Sequence, residues 1–347
     1  MTPQRATEIL EQAKGRRVLL VGDLMMDEWV FGSVKRISPE APIPVVTMPL
    51  TSEARANKPG GAGNTAAILL GLGASVRVVG LVGDDELGAR LLADLEQRGA
   101  DVSGVVKDPS RPTTHKMRVV ASRQQLLRID TESADPVSAA IAAEVRDHLR
   151  RGMAEAEVAL AADYDKGLLT PESLPPEVIA VARAAGIPFC ADPKPANVDL
   201  FRGATLVSPN EAEALAAAGP GSDGPQAEEA PGLPEAVRRA GQALRERLAA
   251  DAVFVTRGDQ GIAVFLSDQV AQVPAFHAPG DLGDPTGCGD AVSAVSALAL
   301  AVVGYKDAAS YLEAATLANA AGAVVSRFVG VHSPQAEEIV RLLAQAS

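Results

Sequence analysis

The segment DPTGCGDA at 284–291 sets an acid among small residues at the head of a long apolar stretch. Gly287, Cys288 and Gly289 let the chain turn tightly and leave backbone N–H groups uncovered. At a helix N-terminus such groups point outward and the helix dipole favours anions, so this turn is suited to hold a transferring phosphoryl group. Asp290 falls in the first turn of the same helix, where a carboxylate could take the proton of an attacking hydroxyl. The alternative is a plain helix cap, for which aspartate is a favoured residue.

Other residues carry related chemistry. Asn210 and Glu213 in SPNEAEA stand three apart, on one helix face, and could organise magnesium-bound water near phosphates; an ordinary helix start is the alternative. Thr256, Gly258 and Gly261 follow the run AVFV, where glycines permit close approach of a nucleotide or simply form a hairpin turn. Residues 111–128 hold Arg111, Lys116, Arg118, Arg123 and Arg128 with no acid. Lys116 and Arg118 alternate with apolar residues and so share a strand face, suited to a phosphorylated sugar or to a solvated edge that resists aggregation. Lys166 in DYDKG and Lys194 in DPKP could add to that charge. Gly61 to Ala66 also matches GxGxxA, with Asp84 and Asp85 downstream, but the glycines do not follow the first strand as a dinucleotide site requires. There is no GxxxxGK[ST] and hence no P-loop.

The elements that must position these residues follow from pattern. The chain has 347 residues, 47% of them hydrophobic and 22% charged, enough for a large core. Apolar runs at 17–21, 76–83, 157–162, 187–191, 204–207 and 252–256 predict buried strands. Between them lie helical patterns near 59–73, 85–99, 137–151, 171–185 and 235–250. Further strands are expected near 261–266 and 269–273, then three closing helices. This alternation predicts a parallel sheet covered on both faces. Two segments depart from it, 28–48 with its prolines and 111–130 with period two, and are expected to pair as one β lid. The division is then a core of 1–27, 49–110 and 131–347, and a lid of 28–48 and 111–130. Residues 218–234 read as a loop rich in Gly, Pro and acid.

A net charge of -12 opposes nucleic acid and anionic membranes. Two cysteines make no disulfide framework, and with no apolar signal core at the N-terminus a cytoplasmic protein is expected.

DPTGCGDA and the earlier PGGAGNTAAILLGLGA resemble, in order and spacing, the two signatures of the ribokinase/PfkB sugar-kinase family. The resemblance implies a ribokinase-like three-layer α/β sandwich, a mainly parallel sheet and a small β-sheet lid. It implies ATP as donor, with magnesium carried by the phosphates and no dedicated protein cage. Asp290 would be the general base, and the Gly287, Cys288 and Gly289 amides the anion hole. Asp27, Gly60, Gly61 and Asn64 would bind sugar hydroxyls. Thr256 and Gly258 would approach the ATP phosphates and ribose, and Asn319 the adenine. Cys288 departs from the alanine more usual there; it is either an inert small residue or a thiol made reactive by the helix terminus.

GDLMMDEWVFGSVKRISPEAPIPVV, SRQQLLRID, DYDKG and ADPKP are similar to the D-glycero-β-D-manno-heptose-7-phosphate kinase branch. That implies anomeric phosphorylation to the 1,7-bisphosphate, a precursor of the ADP-heptose of lipopolysaccharide. Some members of that branch are fused to a nucleotidyltransferase; with the chain ending at Ser347, soon after the kinase core, the stand-alone form is expected, and a dimer through the lids. The alternatives are a kinase of another sugar, a sugar acid or a nucleoside, and a non-catalytic sugar or nucleotide sensor.

Overall fold

The structure is a computed structural model that describes residues 1–51, 54–121, 124–219, 232–276 and 285–346. Arg123, Asp284 and most of the 218–234 loop lie outside the described residues. Helix α1 (Pro3–Ala13) leads into β1 (Arg17–Gly22), β2 (Leu24–Ile37), β3 (Pro44–Thr47) and β4 (Arg55–Gly61). Then come α2 (Ala62–Gly71), β5 (Ser75–Gly83), α3 (Glu86–Gln97), β6 (Asp101–Asp108), β7 (Thr114–Ala121) and β8 (Gln124–Thr131). The chain continues through α4 (Ala139–Met153), β9 (Val158–Ala162), α5 (Pro176–Ala184), β10 (Phe189–Asp192), β11 (Leu206–Val207) and α6 (Glu211–Ala218). It ends with α7 (Glu235–Leu248), β12 (Ala252–Thr256), β13 (Ile262–Phe265), β14 (Val270–Val273), α8 (Cys288–Val303), α9 (Ala308–Val325) and α10 (Ala336–Ala346).

The main sheet runs β14-β13-β12-β11-β10-β9-β1-β5-β6, parallel except for the last two strands at the β14 edge. Its apolar strands are continuous because both faces are covered. Along β1, Val18 and Leu20 enter the core under α1, α2, α3, α8, α9 and α10, while Leu19 and Val21 enter the core under α4, α5, α6 and α7. The chain runs from β1 outward to β5 and β6, then returns to place β9 on the other side of β1. The strand order therefore reverses between β1 and β9, and their carboxyl ends open the crevice where ligands bind in open α/β sheets.

The second sheet is built on β2, with β4 and β3 along one edge and β7 then β8 along the other. The two pattern-breaking segments pair here through β2 and β7, with Asp27 opposite Lys116 and Trp29 opposite Arg118. This sheet also takes in residues 24–27 and 55–61, so Asp27 stands within a lid strand rather than in a loop after β1.

Three elements were not evident from sequence pattern. Helix α1 starts at a proline after a Thr2 cap and buries Ala6, Ile9, Leu10 and Ala13. Strand β4, RANKPGG, is polar and owes its form to pairing with β2. Strand β6 is the sheet edge, only partly buried. Helix α5 starts at Pro176 rather than near 171, because Pro175 and Pro176 lack N–H donors and the residue before a proline is pushed out of helical geometry.

Candidate active site

Asp290 lies in the first turn of α8, whose next ten residues are buried and anchor it in the core. Gly287 precedes that turn at φ 80°, a left-handed conformation natural to glycine, and provides no side-chain cap. A Cβ there would also come within 2.9 Å of Asn64 Nδ2. Asn64, in the first turn of α2, donates through Nδ2 to Asp290 Oδ2 at 2.5 Å. The Tyr164 hydroxyl donates to Asp290 Oδ1. Burial raises the Asp290 carboxyl above the ordinary carboxylate range; the Asn64 and Tyr164 bonds pull it back, and the nearby Asp27 charge pushes it up. Cys288 Sγ points at the carbonyl of Gly322, 3.5 Å away.

Three parallel strands end in aspartates at this crevice. Asp23, after β1, accepts from the amides of Tyr164 at 2.8 Å and Lys166 at 3.3 Å, and burial raises its pKa to about 6. Asp163, after β9, accepts from the amides of Asp165 and Lys194, both at 2.9 Å, and from Asn197 at 3.1 Å. Asp192 closes β10 and accepts from Ser293 Oγ of α8 at 3.1 Å. Burial lifts Asp192 to about 7 against the pull of Lys194. Pattern alone did not single out Asp163, Asp192 or Tyr164. The signal was present for the acids, each of which stops an apolar run. None existed for Tyr164, which depends on where α8 arrives.

On the lid side, Asp27 is ion-paired with Arg118, whose guanidinium also stacks 5.0 Å from the Trp29 ring centroid. Gly60 faces Asp27 so closely that any Cβ would strike its carboxylate, and Gly61 turns at φ 57° into α2. The basic character expected of 111–128 is corrected by its partners. Lys116 binds Asp130 at 3.1 Å and Glu132 at 3.0 Å, and Lys166 binds Glu132 at 2.9 Å. Arg128 pairs with Asp130. Arg111 pairs with Asp108 and donates to the carbonyls of Asp135 and Pro136, a structural role. These acids lie outside the basic window in sequence, but strand register sets Asp130 directly opposite Lys116.

On the other side, Asn210 and Glu213 form a capping box at the start of α6. Glu213 also pairs with Lys194, whose ammonium lies 5.5 Å from the Tyr164 ring centroid. Lys194 therefore joins this side of the crevice to the residues around Asp290. Burial works against its charge, but Glu213, Asp192 and Asp163 outweigh it and raise the pKa. Thr256 bridges to Asn210. Gly258, at φ 55°, faces open space, whereas a Cβ on Gly261 would strike the Val273 carbonyl, so Gly261 serves the turn itself. Asn319 is buried and donates to the carbonyl of Pro274 at 2.7 Å. Among the described residues no group of His, Cys, Asp and Glu is arranged to hold a metal ion by itself, and no helix is long and apolar enough to cross a membrane.

A sheet that reverses order beside a helix terminus bearing an acid, under a β lid, defines a ribokinase-like fold. Ribokinase from Giardia lamblia has the same fold, with a TM-score of 0.71 at 18% identity over 96% of this chain and all of that one. Arabidopsis thaliana ribokinase, solved with ribose and ATP, gives 0.67 at 23% identity over 95% of this chain and 99% of that one. The profile of the pfkB family carbohydrate kinases matches residues 29–338, and the chain belongs to that family: it is a sugar kinase. It is 40% identical to the bifunctional protein HldE of Geobacter metallireducens over 342 residues, which are 98% of this chain and 65% of that protein. The chain thus spans slightly less than two-thirds of that relative's length.

Proposed function

We propose that the protein transfers the γ-phosphoryl group of ATP to the anomeric hydroxyl of D-glycero-β-D-manno-heptose 7-phosphate. The observation that carries the chemistry is the Asp290 carboxylate, held on both oxygens beside an uncapped helix terminus at the sheet's switch point. ATP, with magnesium on its phosphates, would supply the transferred group. The residues suit it: the Gly287–Gly289 turn has no side-chain cap, and Gly258 faces open space at a strand end. Asn210 and Glu213 would orient magnesium-bound water from the start of α6, and Thr256 and Asn319 would flank the nucleotide. Asp27, Gly60, Gly61 and Asn64 would receive the sugar hydroxyls. Asp290 would take the hydroxyl proton while the 287–289 amides meet the charge on the phosphoryl oxygens.

The acceptor's own phosphate would fall to Lys116, Arg118 and Lys166, whose present acid partners would be exchanged for it. The likeness to HldE supports the heptose reading. The exposed lid residues Leu127 and Ile129 support a dimer through the lids, which sedimentation of the purified protein tests.

The experiment is ATP consumption with magnesium across heptose 7-phosphate, fructose phosphates, ribose, ketodeoxygluconate and adenosine. Preference for heptose 7-phosphate upholds the proposal. Preference for a neutral sugar keeps the kinase and overturns the acceptor; no consumption with any acceptor favours a non-catalytic sensor.

A further inference from the structure

After β9 the chain crosses the mouth of the switch point and is tied down on both sides. The Asp163 amide donates to the Asp192 carbonyl at 3.0 Å, and the Tyr164 amide to Asp23 Oδ2 at 2.8 Å. A backbone so held fixes where the Tyr164 side chain goes. Its hydroxyl meets Asp290 Oδ1, and its ring lies under the Lys194 ammonium, 5.5 Å from Nζ. Asn64 meets the other oxygen, Oδ2. One donor on each oxygen fixes the carboxylate's rotation and leaves each oxygen acceptor capacity for a substrate hydroxyl.

We propose that Tyr164 is a positioning residue for Asp290: its phenol donor keeps the carboxylate ionised and oriented toward the acceptor hydroxyl. The inference rests on the reading of Asp290 as the base. The charged groups facing this pair are Asp27 on β2, Asp192 at the end of β10 and Lys194 after it. The surroundings keep the phenol a donor: burial, then the Asp290 and Asp192 charges, raise its pKa well above the usual tyrosine value. Without the hydroxyl, Asn64 and Lys194 alone would oppose burial and Asp27, so Asp290 would hold its proton to higher pH.

Tyr164→Phe removes the hydroxyl and keeps the ring over which Lys194 sits. The Asp290 carboxyl is followed by NMR in the ligand-free full-length protein carrying ¹³C-carboxyl aspartate, its signal identified by its loss in Asp290→Asn. In Tyr164→Phe the Asp290 titration should move up by about one pKa unit. With ATP, magnesium and heptose 7-phosphate, turnover near neutral pH should fall about 10-fold with KM little changed, and recover in part at high pH. An unmoved titration overturns the proposal, as does a lower melting temperature without a titration shift, which marks a merely structural phenol. If Tyr164→Phe does not fold, replacing the tyrosines by 3-fluorotyrosine, a stronger donor, should move the titration down; no movement overturns the proposal. Wild-type turnover in Asp290→Asn would instead overturn the base assignment, leaving the titration to judge Tyr164.

Discussion

Asn64 Nδ2 lies 2.5 Å from Asp290 Oδ2, joining the first turns of α2 and α8 across 226 positions of chain. Two helix starts from opposite ends of the sequence thus share one carboxylate. Asp290→Asn should lower turnover by about 10²–10⁴-fold while ATP and sugar affinities stay within a few-fold. Asn64→Ala should lower turnover by roughly 10-fold, because the Tyr164 bond survives. Initial rates and calorimetric titration measure both; near-normal turnover in Asp290→Asn would exclude it as the base.

Gly287 and Gly258 both have positive φ, but a Cβ on Gly287 would crowd Asn64 Nδ2, the donor to Asp290, while one on Gly258 meets nothing within 4 Å. Each alanine variant should lose roughly 1–2 kcal/mol of stability from the left-handed backbone. Gly287→Ala should in addition lose at least about 10-fold in kcat, since a displaced Asn64 misplaces the base. Equal effects on kcat in the two variants would show that crowding at Asn64 is not the cause.

Glu132 is shared by Lys116 from the lid and Lys166 from the core, at 3.0 and 2.9 Å. If these lysines take the acceptor's phosphate, Lys166→Ala should raise KM for heptose 7-phosphate by roughly 10-fold and leave KM for an unphosphorylated sugar unchanged. Glu132→Gln should lower the same KM a few-fold by releasing Lys166 and leaving Lys116 with Asp130 alone. Parallel changes for charged and neutral acceptors would reduce the cluster to a solvated edge.

The Asp192 carboxyl, pushed up to about 7 by burial, has a direct consequence for stability. In the unfolded chain it would titrate near 3.9. Between about pH 4 and 7 the folded protein therefore holds a proton that the unfolded chain releases. The group's stabilising contribution is full below pH 4 and is lost as pH rises through about 7. Asp192→Asn should melt about 5 °C above the wild type at pH 8, with the gap closing toward pH 4. A gap independent of pH would show that ionisation of Asp192 is not the source.

What could be read from sequence was local. The glycine turn before α8 and the acid within its first turn obey rules of neighbouring residues, so an acid in the first turn of an uncapped helix was legible in the sequence. The parallel sheet was legible in the same way, because strands buried on both faces become continuous apolar runs, as in RVLLV and VALAA. Strand β4 was not legible, since its residues are polar and only pairing with β2 makes it a strand.

The sequence by itself thus determined a covered parallel sheet, a β lid and an acid at a glycine turn that starts a buried helix. Only the tertiary structure decided that Tyr164 and Asn64 share the Asp290 carboxylate, that Lys194 pairs with Glu213, and that the lid's cations are met by Asp27, Asp130 and Glu132. The reason is physical: turns and strand periods depend on residues a few positions apart, whereas these contacts depend on strand register and on the order reversal between β1 and β9.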